Sequence, residues 1–296
     1  MRTALITGIT GFTGSYLAAE LSAAGFDVYG TSFRKNKALD NKIFNVDLCD
    51  IDTLRDLIVK VSPDVVVHLA AVSFVDHKNK EEIYRTNIIG THNLLTSLSE
   101  NKKKPDSVLL ASSANVYGDN SLGEIIESTQ PSPINDYAVS KLAMEYMAKL
   151  WLDKLPIFIV RPFNYTGIGQ SSQFLISKIV EHYRKGDEEI ELGNIDISRD
   201  FLDVRTVAEY YRRLIEMAPV GETINVCSGK SISIREILKI MDDITGYKIK
   251  VNTNSSLIRR KDIKCLCGSN KYLNELVGDH QKISLHETLH WMYQGK

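Results

Sequence analysis

The segment "YAVSK" places Tyr137 four residues before Lys141 at the start of a helical pattern, so the two side chains share one helix face. An ammonium beside a phenol favours the phenolate and lowers a pKa that is ordinarily about 10, which fits the tyrosine for acid or base work near neutrality. Upstream, "LLASSANVYG" ends an apolar run with Ser112 and Ser113, where a hydroxyl can hold a substrate carbonyl. A hydrogen-bond donor, an acid and a cation then surround one oxygen.

A second candidate site lies near residue 1. "TGITGFTG" spaces Gly8, Gly11 and Gly14 after a short apolar run and before a helical pattern. Open α/β sheets bind ligands at the carboxyl ends of their strands, and the turn after the first strand meets a pyrophosphate. Glycines there allow a tight turn and close backbone approach, while the helix N–H groups and dipole face negative charge. The spacing is G-x-x-G-x-x-G rather than the G-x-G-x-x-G of simpler dehydrogenases, and a tight turn with no ligand is the competing account. Position after the first strand favours the ligand. At the end of the second strand, where an acidic residue would bond the ribose 2′-hydroxyl of NAD, the chain has "YGTSFRKNK", with no carboxylate before Asp40. Arg34 and Lys35 would attract a 2′-phosphate, so NADPH is the expected cofactor and NADH the alternative.

These residues need a frame, and the hydrophobic pattern supplies one. Branched apolar runs begin at Thr3, Asp27, Val65, Val108 and Ile157, with helical patterns over 13–24, 51–62, 81–100 and 136–152 between them. That alternation predicts the α/β class, with a Rossmann-type doubly wound parallel sheet over residues 1–163. After Pro162 the elements shorten, with helices expected over 173–185, 204–217, 234–245 and 284–293 and a strand over 222–226. A smaller C-terminal α/β substrate lobe is expected over 164–296, with segments around 201–226 free to return to the first domain.

Composition bounds the function. A chain of 296 residues, 43% hydrophobic, can fill two lobes, and a formal net charge of −1 argues against nucleic acid or an anionic membrane as the main partner. No apolar run reaches transmembrane length and the first residues lead into a strand, so a cytoplasmic protein without a signal peptide is expected. Cys49, Cys227, Cys265 and Cys267 are too scattered for a disulfide scaffold and are expected as free thiols, with no metal bound. "HETLH" from His286 matches H-E-x-x-H, which raises a zinc hydrolase as a reading from another reaction class. Only six residues follow His290, too few to bring the third ligand such a site needs.

The ordered set "TGITGFTG", "VDL" at Val46, "HLAA" at His68, "TNIIGT" at Thr86, "SSANVYG" at Ser112, "YAVSK" at Tyr137 and "VRPFN" at Val160 resembles the extended short-chain dehydrogenase/reductase family over essentially the whole chain. The resemblance implies that Ser113, Tyr137 and Lys141 form a catalytic triad. It implies cofactor contacts from Gly8, Gly11, Phe12, Thr13, Gly14 and Arg34, with Asp47 and Leu48 at the adenine. Leu69, Ala70 and Ala71 would follow at the diphosphate and ribose, and Asn87 would act as a structural relay.

The second half, through "RPFNYTGIGQ", "GNIDISRDFLDV", "NVCSG" and "IRR", is similar to reductases of GDP-4-keto-6-deoxy-D-mannose. That implies a GDP-linked keto-deoxy sugar as substrate, with Ser112, Ser113 and Asn115 at the sugar and Asn164, Arg199 and Arg259 at its diphosphate and nucleotide. In the family's 4,6-dehydratases an acidic pair follows the hydroxyl residue; here Ala114 and Asn115 stand there, and neither transfers a proton. Epimerase-reductases of the family use a cysteine where Ala114 stands. Ketone reduction at C4 therefore leads, serving surface-polysaccharide supply, and such enzymes are usually homodimers. A rhamno or talo product, a keto-heptose substrate, a base other than guanine, a UDP-sugar 4-epimerase and a regulator without catalysis stay open.

Overall fold

The computed structural model describes residues 1–33, 41–74, 77–119, 123–254, 264–278 and 283–295. Arg34 and Arg259, both expected to bind ligand, lie outside the described residues. In chain order the strands are β1 (Thr3–Thr7), β2 (Asp27–Ser32), β3 (Ile43–Asn45), β4 (Val65–His68), β5 (Ser107–Ala111), β6 (Ile157–Pro162) and β7 (Asn164–Thr166). They continue with β8 (Glu189–Leu192), β9 (Ser198–Asp203), β10 (Thr223–Val226), β11 (Ser231–Ser233), β12 (Lys250–Thr253) and β13 (Cys265–Leu266). The helices are α1 (Phe12–Ala23), α2 (Ile51–Val61), α3 (Lys80–Tyr84), α4 (Thr91–Glu100) and α5 (Asp136–Lys149). After them come α6 (Leu175–Lys185), α7 (Val204–Met217), α8 (Ile234–Thr245), α9 (Lys271–Val277) and α10 (Leu285–Gln294).

Two units divide the chain. The first comprises Met1–Val116, Pro133–Pro162 and Ala208–Ile224, and its sheet runs β10-β6-β5-β4-β1-β2-β3. β4 and β6 are buried at every position, as continuous apolar runs must be when helices cover both faces of a parallel sheet. β1 is the topological pivot: Ala4 pairs with Val28 of β2 on one side and Val65 of β4 on the other, both in parallel register. The chain winds outward to β3, returns through α2 and lays β4 on the opposite side of β1. That reversal opens a crevice at the carboxyl ends of β1 and β4, where such folds take their ligands. Leu5, Val66, Val108 and Ile159 of the sheet pack with Leu54, Ile58, Leu94, Leu98 and Met144 of α2, α4 and α5 in one core.

The helix expected over 81–100 runs without interruption from Lys80 to Glu100, but it is not α-helical throughout. Between α3 and α4 the residues Arg85–Gly90 widen into a π turn. The fully buried Asn87 side chain there binds the Val72 backbone, and a Cβ on Gly90 would stand 3.0 Å from Leu48 Cβ.

The second unit comprises Tyr117–Ser132, Phe163–Val207 and Asn225–Lys296. "RDFLD" forms most of β9, the centre of this unit's sheet, with β11 antiparallel to it and β7 and β13 parallel. α6, α8 and α10 bury Ile176, Ile179, Tyr183, Ile237, Met241 and Leu289 in a separate core. Capping boxes Ser233–Glu236 and Ser284–Glu287 start α8 and α10, each meeting two otherwise unpaired backbone donors. No helix among the described residues is long and apolar enough to cross a membrane.

Candidate active site

The turn between β1 and α1 shows what the glycines are for. Gly8 sits at φ +73°, and a Cβ there would lie 3.0 Å from Ala70 N and Cα at the end of β4. A Cβ on Gly14 would lie 2.4 Å from the Gly8 carbonyl oxygen and 2.7 Å from Ile9 Cα. Two of the three glycines are thus required by the chain's own packing before any ligand arrives. Gly11 caps α1 without a side-chain bond, and the helix has no acidic residue in its first turn. A helix start of that kind, at the mouth of the crevice, is suited to a pyrophosphate.

Hydrogen bonds fix the turns around it. Ala70 N–H donates to Thr7 Oγ1 at 3.3 Å, and Thr7 Oγ1 lies 2.7 Å from His68 Nδ1. On the other ring edge His68 Nε2 is 2.8 Å from Thr91 Oγ1, which itself donates to the Asn87 carbonyl at 2.8 Å. Thr91 has spent its proton, so it accepts from Nε2–H, and Nδ1 must accept from Thr7. Burial, then the Lys141 charge, pushes the His68 pKa down to about 3, and the ring stays neutral. Asn87 extends the chain to α5 through Ser140, whose hydroxyl donates to the Tyr137 carbonyl at 2.7 Å. The Asn87 amide therefore ties the loop after β4 to the helix that carries Tyr137.

Tyr137, 8% exposed, occupies the first turn of α5, which Asn135 starts by accepting from Ala138 N–H. One turn on, Lys141 is 2% exposed and its Nζ donates to the Ala111 carbonyl at 2.7 Å, at the very end of β5. Burial lowers the Lys141 pKa to about 8, while the Glu145 carboxylate a further turn along opposes the fall. Ser113 begins the short turn after β5, and its Oγ accepts from Asn115 N–H and Nδ2. The structure thus holds Lys141 Nζ on the last residue of β5, two residues before the Ser113–Asn115 pair, with Tyr137 one helical turn before Lys141 on α5.

Ser112 takes a different direction. Its hydroxyl donates to Glu145 Oε1 at 2.5 Å, and Arg161 of β6 donates to both oxygens of the same carboxylate, at 2.9 and 2.6 Å. Glu145 and Arg161 are 2% and 6% exposed, a buried pair seated under the reactive strand end. Neither was anticipated as a site residue. Glu145 follows Lys141 by four residues, as Lys141 follows Tyr137, so the spacing that singles out the first two marks the third.

The other expected residues are dispersed. Asp47 is exposed and accepts from Cys49 N–H; Leu48 is in the core, with its carbonyl held by Asn93. Phe12, Thr13, Leu69 and Ala71 are half-buried along the two turns. β2 ends in Thr31 and Ser32 and carries no carboxylate at its tip. In the second unit Asn164 Nδ2 donates to the Asp200 carbonyl at 3.2 Å and Arg199 Nη1 to the Ser198 carbonyl at 2.9 Å. Of the "HETLH" residues, Glu287 accepts from the Ser284 N–H and hydroxyl in the α10 capping box.

A model of the GDP-mannose 4,6 dehydratase family matches residues 5–292. The chain belongs to this family. The GDP-6-deoxy-D-talose 4-dehydrogenase of Aggregatibacter actinomycetemcomitans is 34% identical over 99% of this chain and 97% of its own length. The GDP-6-deoxy-D-mannose reductase of Pseudomonas aeruginosa is 32% identical over 96% and 93%. A structure of RMD from P. aeruginosa complexed with NADPH has 31% identity and a TM-score of 0.86, covering 100% of this chain and 97% of that one. A crystal structure from Burkholderia cenocepacia J2315, provisionally described as an epimerase, has 47% identity and a TM-score of 0.94, covering 99% and 97%. Ala114 and Asn115 leave no carboxyl group directly after Ser113 in this chain.

Proposed function

We propose that the protein is a nucleotide-sugar oxidoreductase that reduces the C4 ketone of a GDP-linked 4-keto-6-deoxy sugar with NADPH. One observation carries the reading: Lys141 is anchored on the Ala111 carbonyl beside Ser113, one turn from Tyr137, with no carboxyl at 114 or 115 to move a C5 proton. The two GDP-sugar relatives at 34% and 32% identity support the substrate class.

When bound, the reduced nicotinamide supplies hydride. Ser113 holds the ketone oxygen, Tyr137 protonates it as charge develops, and the Lys141 ammonium stabilises the phenolate left behind. The crevice at Gly8 and Ala70 takes the pyrophosphate, and the absence of a carboxylate at the tip of β2 leaves a 2′-phosphate unopposed. Asn164, Arg199 and Arg259 are assigned to the GDP moiety.

Protein incubated with GDP-4-keto-6-deoxy-D-mannose is expected to consume one NADPH per sugar, read by absorbance, with NADH slower. Proton couplings at C4 of the product distinguish the D-manno from the D-talo alcohol. The likeness to the B. cenocepacia structure favours C4 epimerisation as a second reading, and interconversion of two sugars without net NADPH loss would establish it instead. We further assign the enzyme to the cytoplasm as a homodimer feeding surface-polysaccharide synthesis. The dimer contact is placed where Ile89, Tyr146 and Leu150 are 50%, 61% and 80% exposed. Sedimentation should give twice the chain mass, and a Tyr146→Glu change should halve it; a single-chain mass in the unaltered protein sinks the dimer.

A further inference from the structure

A serine hydroxyl has one proton to give and two lone pairs to receive with. At Ser113 both lone pairs are taken by a single residue: Asn115 donates its backbone N–H to Oγ at 3.2 Å and its Nδ2 at 3.1 Å. The Ser113 side chain is 6% exposed, yet among the described residues no group accepts its proton. A buried donor left unspent at the mouth of a reactive site is aimed at something that comes later.

We infer that Asn115 is a positioning residue that, by filling both lone pairs of Ser113 with its own N–H groups, fixes the Ser113 hydroxyl as a donor toward the substrate's C4 oxygen. The inference rests on the ketone reduction proposed above and gives the residue after Ala114 a function within it. A ketone oxygen only accepts, and it accepts more strongly as hydride arrives and it becomes an alkoxide. A Ser113 oxygen offered as an acceptor would repel it. The carboxamide suits this task because it cannot ionise, so the polarity of Ser113 does not change with pH. A carboxylate at 115 would reverse the arrangement by accepting the Ser113 proton and turning the hydroxyl away from the substrate. Asn115 is thus a specificity element: it withholds the proton-transfer group that dehydration needs and fixes the donor that reduction needs.

The decisive variants are Asn115→Asp and Asn115→Ala, compared with unaltered enzyme on the 4-keto sugar and NADPH from pH 5 to 8. Removal of one pre-oriented donor at a developing oxyanion costs about 10²–10³ in kcat. Asn115→Asp should approach that loss at pH 8, whereas Asn115→Ala, which keeps the backbone donor, should lose about tenfold with KM little changed. Asp136, Tyr137, Lys141, Glu145, Tyr146 and Lys149 of α5, Arg161 of β6 and Tyr117 of the turn itself are the titratable and charged groups on these elements. All are retained in each variant, so the ratio to unaltered enzyme cancels their titration. That ratio should rise at least about tenfold for Asn115→Asp as the pH falls and its carboxyl regains a proton to donate. For Asn115→Ala it should stay flat. A flat ratio for Asn115→Asp, or full kcat in Asn115→Ala, overturns the inference while active unaltered enzyme leaves the reductase reading standing. Unaltered enzyme that turns over no 4-keto sugar overturns both.

Discussion

Tyr137→Phe should lower kcat for ketone reduction by about 10²–10⁴, the range attached to a positioned proton donor, and leave KM and NADPH affinity near their original values. The ring stays packed, because the residue is 8% exposed and its helix start is secured by the Asn135 cap rather than by the phenol. Only the hydroxyl that protonates the alkoxide is lost. Stopped-flow turnover alongside a fluorescence titration of NADPH separates the two effects; a loss below about tenfold, or about 1.4 kcal/mol, would remove Tyr137 from the acid role.

Lys141 adds a pH signature to the same assay. Its pKa is lowered from 10.5 to about 8, so the free enzyme sheds the cation that supports the phenolate as the pH passes 8, and kcat/KM should fall there. Stability should move in the other direction. Between about 8 and 10.5 the unfolded chain holds a proton that the folded chain has released, so the lysine's contribution to unfolding free energy rises with pH across that window. Below the window the cost of burying the ammonium is present in full. Urea titrations and rate measurements over the same range should therefore slope oppositely.

The parts of this molecule that follow a period were legible in the sequence, and those set by pairing across the fold were not. Runs beginning at Thr3 and Ile157 gave β1 and β6, and a strictly amphipathic stretch gave α7 at its observed bounds, because burial on a sheet or stripe leaves a repeating mark. β7, β11 and β13 are two or three residues long and are held by β9, so no local signal announces them. The site divides the same way. Tyr137 and Lys141 are visible because helix spacing sets them side by side, whereas the roles of Ser112 and Ser113 depend on which way each hydroxyl turns. Adjacent on one strand end, they face opposite partners, Glu145 for the first and Asn115 for the second. The alternation of side chains along an extended strand end accounts for that split.

Arg161→Met should be the most damaging single change to stability outside the core. It strands Glu145, 2% exposed, with the Ser112 hydroxyl as its remaining hydrogen-bond partner among the described residues, and breaking one half of a buried pair costs about 3–5 kcal/mol. Urea denaturation should show that loss, and Glu145→Met together with Arg161→Met should recover most of it, since two apolar side chains no longer bury a charge. If the double variant is as unstable as the single, the pair is valued for geometry and not for neutralising charge. The pH profile then distinguishes the two residues by sign. Glu145 raises the Lys141 pKa, so Arg161→Met, which removes a nearby cation and keeps the carboxylate, should move the alkaline fall of kcat/KM to higher pH. Glu145→Gln keeps the cation and removes the carboxylate, and should move the fall to lower pH. Shifts of the same sign in both variants would mean that the pair acts on Lys141 only through the shape of the strand end, whereas opposite signs require that its charges are felt at the site.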